Sequence, residues 1–424
     1  MLVNRRIVNF IIFALLFLFG IGFLGKQTYI ILLVGGIVLL FSKKGRIKES
    51  HSFSLLMLLA FSAFCILFAS SISPTAGLKS VCCLVAFYIG SNLNCKKEDS
   101  LKRLLLFLAF SFALYPVINF FFELTQFGFS FSFLNSVTHY DVWSKEDSAV
   151  TLIVSNACLL ASLFGFFIFY CKKKKLVVLG LLIIGVVAFY DLILGGRTFL
   201  FIILIMLFFE AMLVILSTKK GLKKVIKRLL VLSLILSLVV VFLVMMFDDF
   251  KSAFLAFFEN THFFSRFGET GSSELLKTSR WNIRNEYLSL FWDNPFGGRA
   301  IFKRVGMLPH ELWLDVYDIS GIFSWVPFML YFVASVVHIV KFCLNRGVDK
   351  ETKNILICCF VGLLMQFAVE PIFSGNPALL FVYCLIDGAV ISYSNRRSVV
   401  NTSRLQLNRL GKNRAKELQK LNTI

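Results

Sequence analysis

The feature that most constrains this chain is the recurrence of apolar segments long enough to cross a lipid bilayer. A helix needs roughly 20 apolar residues to span a hydrocarbon core of about 30 Å, and we count about twelve segments close to that length. The sequence therefore predicts an all-α polytopic membrane protein whose first segment is an uncleaved helix. The segments lie at 7–24, 28–41, 52–70, 78–93, 104–122, 150–170, 176–194, 199–217, 229–247, 321–340, 355–371 and 377–394.

Composition excludes a soluble protein. Hydrophobic residues make up 58% of the 424 residues, and Phe alone occurs 50 times, which is more apolar surface than a soluble domain can bury. The net charge of +20 would suit a nucleic-acid-binding protein. However, the basic residues lie in short clusters between apolar segments, which is typical of cytoplasmic loops beside anionic lipid. We therefore expect membrane lipids, and no nucleic acid, as partners.

The basic clusters also predict orientation. They occupy every second connection and both termini, so the positive-inside rule places these regions in the cytoplasm. Two of the remaining, outer connections are long, at 123–149 and 248–320. We divide the chain into helices 1–9 (residues 1–247), a late outer loop with short helices (248–320), helices 10–12 (321–394) and a basic tail (395–424).

The cysteines indicate neither disulfides nor a metal site. All ten lie in apolar segments or basic connections, none in the long outer loops, and no Cys/His spacing resembles a zinc site. The Gly-Gly pairs at 195 and 297 lack the strand–turn–helix context of a phosphate-binding loop. We expect no metal and no cofactor.

Two arginines of the late outer loop are candidates for binding phosphate. Thr278 or Ser279 can cap a helix that runs to about Trp292. On that helix Arg280 and Arg284 are four residues apart and project from one face. The planar guanidinium fork matches phosphate oxygens, which predicts substrate contact; the alternative is a solvated pair that balances nearby acids. Other basic residues of the loop either bind phosphate or neutralise its acids: Arg266, Arg299, Lys303 and Arg304.

Arg197 is a third candidate, in the short outer connection after Gly195 and Gly196. An arginine at a membrane boundary is costly unless it snorkels, pairs or binds a ligand. The glycines would let the backbone approach an anionic headgroup closely. The alternative is snorkelling, with Asp191 as a partner.

His310 is the candidate base. It follows Pro309, which we expect to open a second short helix, and histidine accepts a proton near neutral pH. Glu311 and Asp315, which share a face of that helix with Asp318, are alternative bases or substrate contacts. The other interpretation of a single loop histidine is a structural role.

A pattern in this loop carries a family resemblance. Ser279-Arg280-Trp281 is followed by Asn294-Pro295-Phe296-x-Gly298 and Pro309-His310-Glu311, and the pattern ends with Ile-Ser-Gly-Ile at 319–322. With the late outer loop and the arginine of an earlier outer turn, this resembles the O-antigen ligase and polymerase superfamily, and most of all the Wzy-type O-antigen or capsular polysaccharide polymerases. The topology is similar over nearly the whole chain; the motif covers about 278–321.

The resemblance implies a glycosyltransferase of the bacterial inner membrane, with cytoplasmic termini and a periplasmic active site. Such enzymes join undecaprenyl-pyrophosphate-linked oligosaccharides without a required metal, alongside flippase and chain-length regulator proteins. By this resemblance the membrane-boundary arginine corresponds to Arg197, the loop arginine to Arg280 and the histidine to His310. Ligases usually have Asn after the histidine, whereas this chain has Glu311, which favours a polymerase.

Two alternative functions stay open at this point. The first is an O-antigen ligase that transfers finished glycan to lipid A–core. The second is a carrier such as a lipid-linked sugar flippase. Carriers often have matching halves and ionisable residues near the midplane, whereas the halves of this sequence do not match and its polar residues concentrate in connections.

Overall fold

The structure, a computed structural model, describes most of the chain. The described residues are 5–42, 52–69, 74–93, 98–127, 138–145, 147–193, 198–217, 221–223, 225–231, 233, 279–345 and 347–394. The predicted segment 229–247 lies almost entirely outside them. So do the late outer loop up to residue 278 and the tail from residue 395.

The described part of the chain is almost entirely helical. Its helices are α1 (Arg5–Gly20), α2 (Tyr29–Leu40), α3 (Ser52–Ala69), α4 (Pro74–Asn92), α5 (Glu98–Phe127), α6 (Val150–Ser155), α7 (Cys158–Ser162), α8 (Phe164–Phe169), α9 (Lys174–Ile193), α10 (Thr198–Ser217), α11 (Ser279–Ser289), α12 (Ala300–Val305), α13 (Leu312–Leu344), α14 (Lys350–Val369) and α15 (Pro377–Ser394). A short 3₁₀ turn, Gly25–Gln27, precedes α2, and residues 221–223 and 225–231 are also helical.

One short sheet departs from the all-helical prediction. Strands β1 (Thr138–Tyr140) and β2 (Asp147–Ala149) pair antiparallel in the connection between α5 and α6. Each strand has three residues, too few to show the alternation of apolar and polar residues by which a strand is found in a sequence.

The apolar helices suggest a membrane-embedded protein. Within the described residues, 6 helices are long and apolar enough to cross a membrane, namely α5, α9, α10, α13, α14 and α15. Segments inside α1, α2 and α3 are shorter apolar helices. Large apolar side chains on the outer faces of several of these helices are exposed, among them Leu56, Leu182, Phe208 and Leu330. In contrast, 83% of α15 is buried inside the bundle.

The predicted segment 150–170 is wrong as a single helix. The chain there forms α6, α7 and α8, separated by turns at 156–157 and at Leu163. At the first turn the Asn376 amide donates to Ser155 Oγ (2.9 Å) and to Asn156 Oδ1 (3.0 Å). Polar side chains from the start of α15 therefore stabilise a break that hydrophobicity alone does not reveal.

The short helix predicted after Pro309 is part of a longer one. Helix α13 begins at Leu312, with the extended Glu311 before it, so Pro309 does not open the helix as predicted. It continues to Leu344 and is interrupted by the non-helical Gly321 (φ 70°, ψ −174°). This kink coincides with the predicted end of the outer loop. Helix α11 also ends earlier than predicted, at Ser289.

The kink of α13 packs against the turn after α11. Gly298 N donates to Ile319 O (3.0 Å), and Ile322 N donates to Pro295 O (2.8 Å). At the kink, Ile319 O and Ile322 N make these hydrogen bonds in place of bonds within α13. The break in the helix therefore leaves both backbone groups paired. The turn after α11 is thereby attached to the middle of α13.

Two glycines allow this contact. Gly297 and Gly321 both have φ +70°, and a Cβ on Gly297 would lie 2.3 Å from Gly321 N. A Cβ on Gly321 would lie 2.5 Å from Pro295 O. Real side chains do not approach backbone atoms so closely, so both positions require glycine. We call this contact between 295–298 and 319–322 the glycine junction.

Candidate functional site

The structure describes five of the seven predicted site residues. Arg197 and Arg266 lie outside the described residues. The other five lie at the start of α11, at the start of α13 or just before α13. They interact with one another or with the turn between α14 and α15 (residues 370–376), which we call the α14–α15 turn. They are Arg280, Arg284, His310, Glu311 and Asp315.

Arg280 is loosely held. Its side chain is 46% exposed, its Nη2 lies 3.7 Å from Glu370 Oε1, and its Nη1 donates to Val369 O at 3.4 Å. The first distance is an ion pair but not a hydrogen bond, and the second is a long hydrogen bond. A guanidinium has five N–H donors, so most of its binding capacity remains for a ligand.

One acid, Glu370, lies beside this arginine, and a second, Asp191, lies near Glu370. Burial raises the pKa of the Glu370 carboxyl, and Arg280 opposes that rise. Asp191, near the end of α9, is buried and close enough to Glu370 for the two carboxylates to repel each other. Whether Asp191 also pairs with Arg197 stays a prediction, because Arg197 lies outside the described residues.

His310 is neutral in this environment. Burial, and after it the charge of Arg280, lowers the pKa of His310 to about 4. Its Nδ1 is buried and has no hydrogen-bond partner among the described residues. Near pH 7 the imidazole is therefore uncharged and able to accept a proton.

Three residues linked by these interactions each carry an unsatisfied buried polar atom. Like His310 Nδ1, Glu370 Oε1 and Asp191 Oδ2 are buried without a hydrogen-bond partner among the described residues. Buried polar atoms in native proteins are usually satisfied, and exceptions commonly mark sites of ligand, water or catalysis. We call Arg280, His310, Glu370 and Asp191 the Arg280 cluster.

Arg284 contacts Glu311 rather than Glu370. Arg284 Nε lies 2.9 Å from Glu311 Oε1, and the guanidinium lies over the Trp281 ring at 5.3 Å. Burial raises the pKa of Glu311, and Arg284 opposes the rise. The pair fixes Arg284 more firmly than Arg280 is fixed, which leaves Arg280 as the more available cation.

An aromatic cavity opens beside this pair. It has a volume of about 490 Å³ and reaches from α11 to α13. Trp281 and Leu288 of α11 are about half exposed, and Trp292, just after this helix, is 75% exposed. The cavity is lined by Arg284, Leu288, Phe291, Trp292, Glu311, Trp313, Leu314, Trp325, Met329 and Phe332.

Asp315 is hydrogen-bonded to the α14–α15 turn. Its Oδ2 accepts from Ser374 N at 2.7 Å, and its Oδ1 accepts from Ser374 Oγ. Arg299 Nη2 donates to the same Ser374 Oγ at 2.9 Å. Asp315 is fully buried, so it fixes the position of this turn; direct substrate contact stays a prediction.

Lys79 also contacts the α14–α15 turn. Its Nζ donates to Phe373 O (3.0 Å) and Ser374 O (3.1 Å). The turn therefore carries Glu370 at one end and is fixed through Ser374 by Asp315, Arg299 and Lys79.

Sequence reasoning missed the roles of Lys79, Arg299, Glu370 and Ser374 in this arrangement. A signal existed for Lys79, because an ionisable residue in an apolar segment is a candidate functional residue by default. Glu370 carries a weaker signal, an acid at the end of an apolar segment directly before Pro371. Ser374 carried no signal, since its partner Asp315 is 59 residues away in the chain.

The described residues offer no obvious metal site. No three of their His, Cys, Asp and Glu side chains lie close enough together to hold an ion. The Arg280 cluster combines a partly exposed cation, a neutral imidazole and two buried carboxyls. Comparison of the sequence with protein-family models and with curated proteins gives no significant match.

Proposed function

We propose that this protein is a glycosyltransferase that polymerises undecaprenyl-pyrophosphate-linked oligosaccharides into O-antigen or capsular polysaccharide. It would act at the periplasmic face of a bacterial inner membrane, with about twelve spans and cytoplasmic termini. The observation that supports this best is the Arg280 cluster: a half-exposed arginine with uncommitted donors beside a neutral histidine.

In this reaction the hydroxyl oxygen of an acceptor sugar attacks the anomeric carbon of the donor sugar. The bond from that carbon to the pyrophosphate oxygen breaks, and undecaprenyl pyrophosphate leaves with the bonding electrons. Arg280, with Arg197 and Arg284 as further contacts, would stabilise the negative charge on the leaving pyrophosphate. His310 would take the proton of the acceptor hydroxyl.

The acids of the cluster have a compatible role. Carboxylates accept hydrogen bonds from sugar hydroxyls, and Glu370 and Asp191 each have a buried oxygen without such a bond among the described residues. Glu311, which Arg284 already contacts, would serve as the alternative base. A pyrophosphate bound to Arg280 would also weaken the effect of that cation on His310, making the imidazole a stronger base in the complex.

Arg280→Ala tests the proposal. Loss of one charged contact to the developing charge should lower the rate about 10²–10³-fold, so polymer ladders from cells with normal protein levels should collapse. His310→Ala should have a similar effect, because a general base contributes roughly 10²–10⁴-fold. The matched control is Arg103→Ala, which removes an exposed arginine of α5 outside the candidate site and should leave the ladder intact.

The glycan products of the variant cells distinguish a polymerase from a ligase. Collapse to a single repeat unit per lipid A–core indicates a lost polymerase, whereas complete absence of glycan from the core indicates a lost ligase. Purified protein in liposomes, with both lipid-linked substrates on one side, separates an enzyme from a carrier. Unchanged ladders with Arg280→Ala and His310→Ala would contradict the site.

A further inference from the structure

A second cavity borders the α14–α15 turn. It has a volume of about 550 Å³ and is framed by the end of α1, the middle of α5, the starts of α2, α4 and α15, residue Asp141, and α6 with the turn after it. This volume is within the range of small-ligand sites. Among the described residues that line it, neither Arg280 nor His310 appears, so it is distinct from the Arg280 cluster. We call it the turn cavity.

The lining of the turn cavity combines hydrogen-bonding groups of both kinds with aromatic rings. Lys79 supplies a donor, Asp141 an acceptor and Gln27 both, while Phe19, Phe112 and Phe381 supply apolar faces. Sugars match such a lining, because their hydroxyls donate and accept while their C–H faces are apolar. Lys79 and Asp141 have opposite charges, which favours an uncharged ligand over an anion.

The two charged groups are held in place before any ligand binds. Lys79 donates to two backbone carbonyls of the turn, and an ammonium has three donors, so the contacts among described residues leave one. Asp141 Oδ1 accepts from Trp143 N at 2.9 Å, and Trp143 Nε1 donates to Ile21 O at 2.8 Å. The Tyr115 side chain also hydrogen-bonds this carboxylate, and since a carboxylate has about four acceptor sites, capacity for sugar hydroxyls remains.

The α14–α15 turn joins this cavity to the Arg280 cluster. Ser374 lines the cavity, and Glu370, four residues earlier, forms the ion pair with Arg280. Four residues span at most about 14 Å, and the turn is folded back by the bond from Gly375 N to Pro371 O (2.7 Å). A sugar chain in the cavity would thus end within reach of a donor at Arg280.

We propose that the turn cavity binds the acceptor, as the uncharged sugar end of the second lipid-linked oligosaccharide. This inference rests on the proposed function, which requires two glycan substrates at one site. Gln27, Thr75, Asp141 and Ser374 line the cavity and all lie in connections predicted to be on the outer side, the same side as Arg280.

Cavity-filling substitutions at two separate rim positions test this inference. Thr75 and Gln27 are exposed residues of the lining, so Thr75→Trp and Gln27→Trp should occupy the cavity without disturbing the core. The control is Thr125→Trp, at an exposed position of α5 that is not among the lining residues. The purified full-length protein is titrated calorimetrically with the repeat-unit oligosaccharide released by mild acid from the cells' own lipid-linked pool.

We expect both filling variants to bind this oligosaccharide at least tenfold more weakly than the wild type and the Thr125→Trp control. Binding of farnesyl pyrophosphate, a probe of the donor site, should stay within twofold in the filling variants and fall in Arg280→Ala. Unaltered oligosaccharide binding in both filling variants, or no binding by the wild type, would overturn the inference. Failure of the proposed function would appear elsewhere, as unchanged polymer ladders with Arg280→Ala.

Discussion

The glycine junction shares one short stretch of sequence with Arg280 and His310 of the Arg280 cluster, but the junction and the cluster are built in opposite ways. At the junction, Gly297 and Gly321 leave no room for a side chain, and nearby backbone groups are paired. At the cluster, Arg280 is half exposed and makes only long contacts, and three buried polar atoms lack partners among the described residues. The comparison teaches that the glycine junction fixes the backbone, whereas the Arg280 cluster keeps polar groups available to a ligand.

The largest effect is expected from breaking the junction. Gly297→Ala would place a Cβ 2.3 Å from Gly321 N at a residue with φ +70°. Backbone strain and overpacking together should lower the free energy of unfolding by at least about 3 kcal/mol. Thermal unfolding of the purified protein in detergent measures this loss.

Gly306 provides the matched control for this prediction. It also has a positive φ, +78°, but a Cβ there meets nothing within 4 Å. Gly306→Ala should therefore show only the strain of the left-handed backbone, about 1–2 kcal/mol. Equal losses for the two variants would mean that the close backbone approach at the junction does not matter.

The contrast also explains what the sequence could and could not predict. The lengths of apolar segments located most helices. The side-chain chemistry of Arg280 and His310 made them site candidates, because both signals are local to the sequence. Contacts between distant segments left no local signal, as for Ser374 with Asp315 and Lys79 with the α14–α15 turn. Apolar length predicts which segments cross a membrane, but it does not predict which helices become neighbours.

A smaller effect is expected at the open region. Glu370 competes with any anion for Arg280, so Glu370→Gln should strengthen the binding of inorganic pyrophosphate. The arginine is 46% exposed, and ion pairs so screened contribute about 1 kcal/mol or less, which corresponds to roughly a fivefold change in Kd. Calorimetric titration measures it, with Glu286→Gln as the control because Glu286 is exposed on α11. Weaker binding in Glu370→Gln would instead mean that Glu370 positions Arg280.

The smallest effect is expected from acidification of the wild-type enzyme. The pKa of His310 is lowered to about 4, so the imidazole stays unprotonated as the pH falls through 6.5, the ordinary value for histidine. At pH 5 about 90% of a base with that pKa remains active, against about 3% of a base with an ordinary histidine pKa. The contribution of His310 to kcat/KM, which reports the free enzyme, should therefore change little between pH 8 and pH 5 and fall only near pH 4.

The variant His310→Gln distinguishes this histidine from the neighbouring acids. Glu370 and Glu311 also have raised pKa values, and their protonation would alter the rate at mildly acidic pH whether or not His310 is the base. If His310 is the base, the residual activity of His310→Gln loses the fall near pH 4, while any step due to the acids persists. A fall near pH 6.5 that the wild type shows and His310→Gln lacks would contradict the assignment, because it would require an imidazole that is neither buried nor near Arg280. The pH profile therefore tests whether the Arg280 cluster exists as the structure describes it, independently of which sugars are joined.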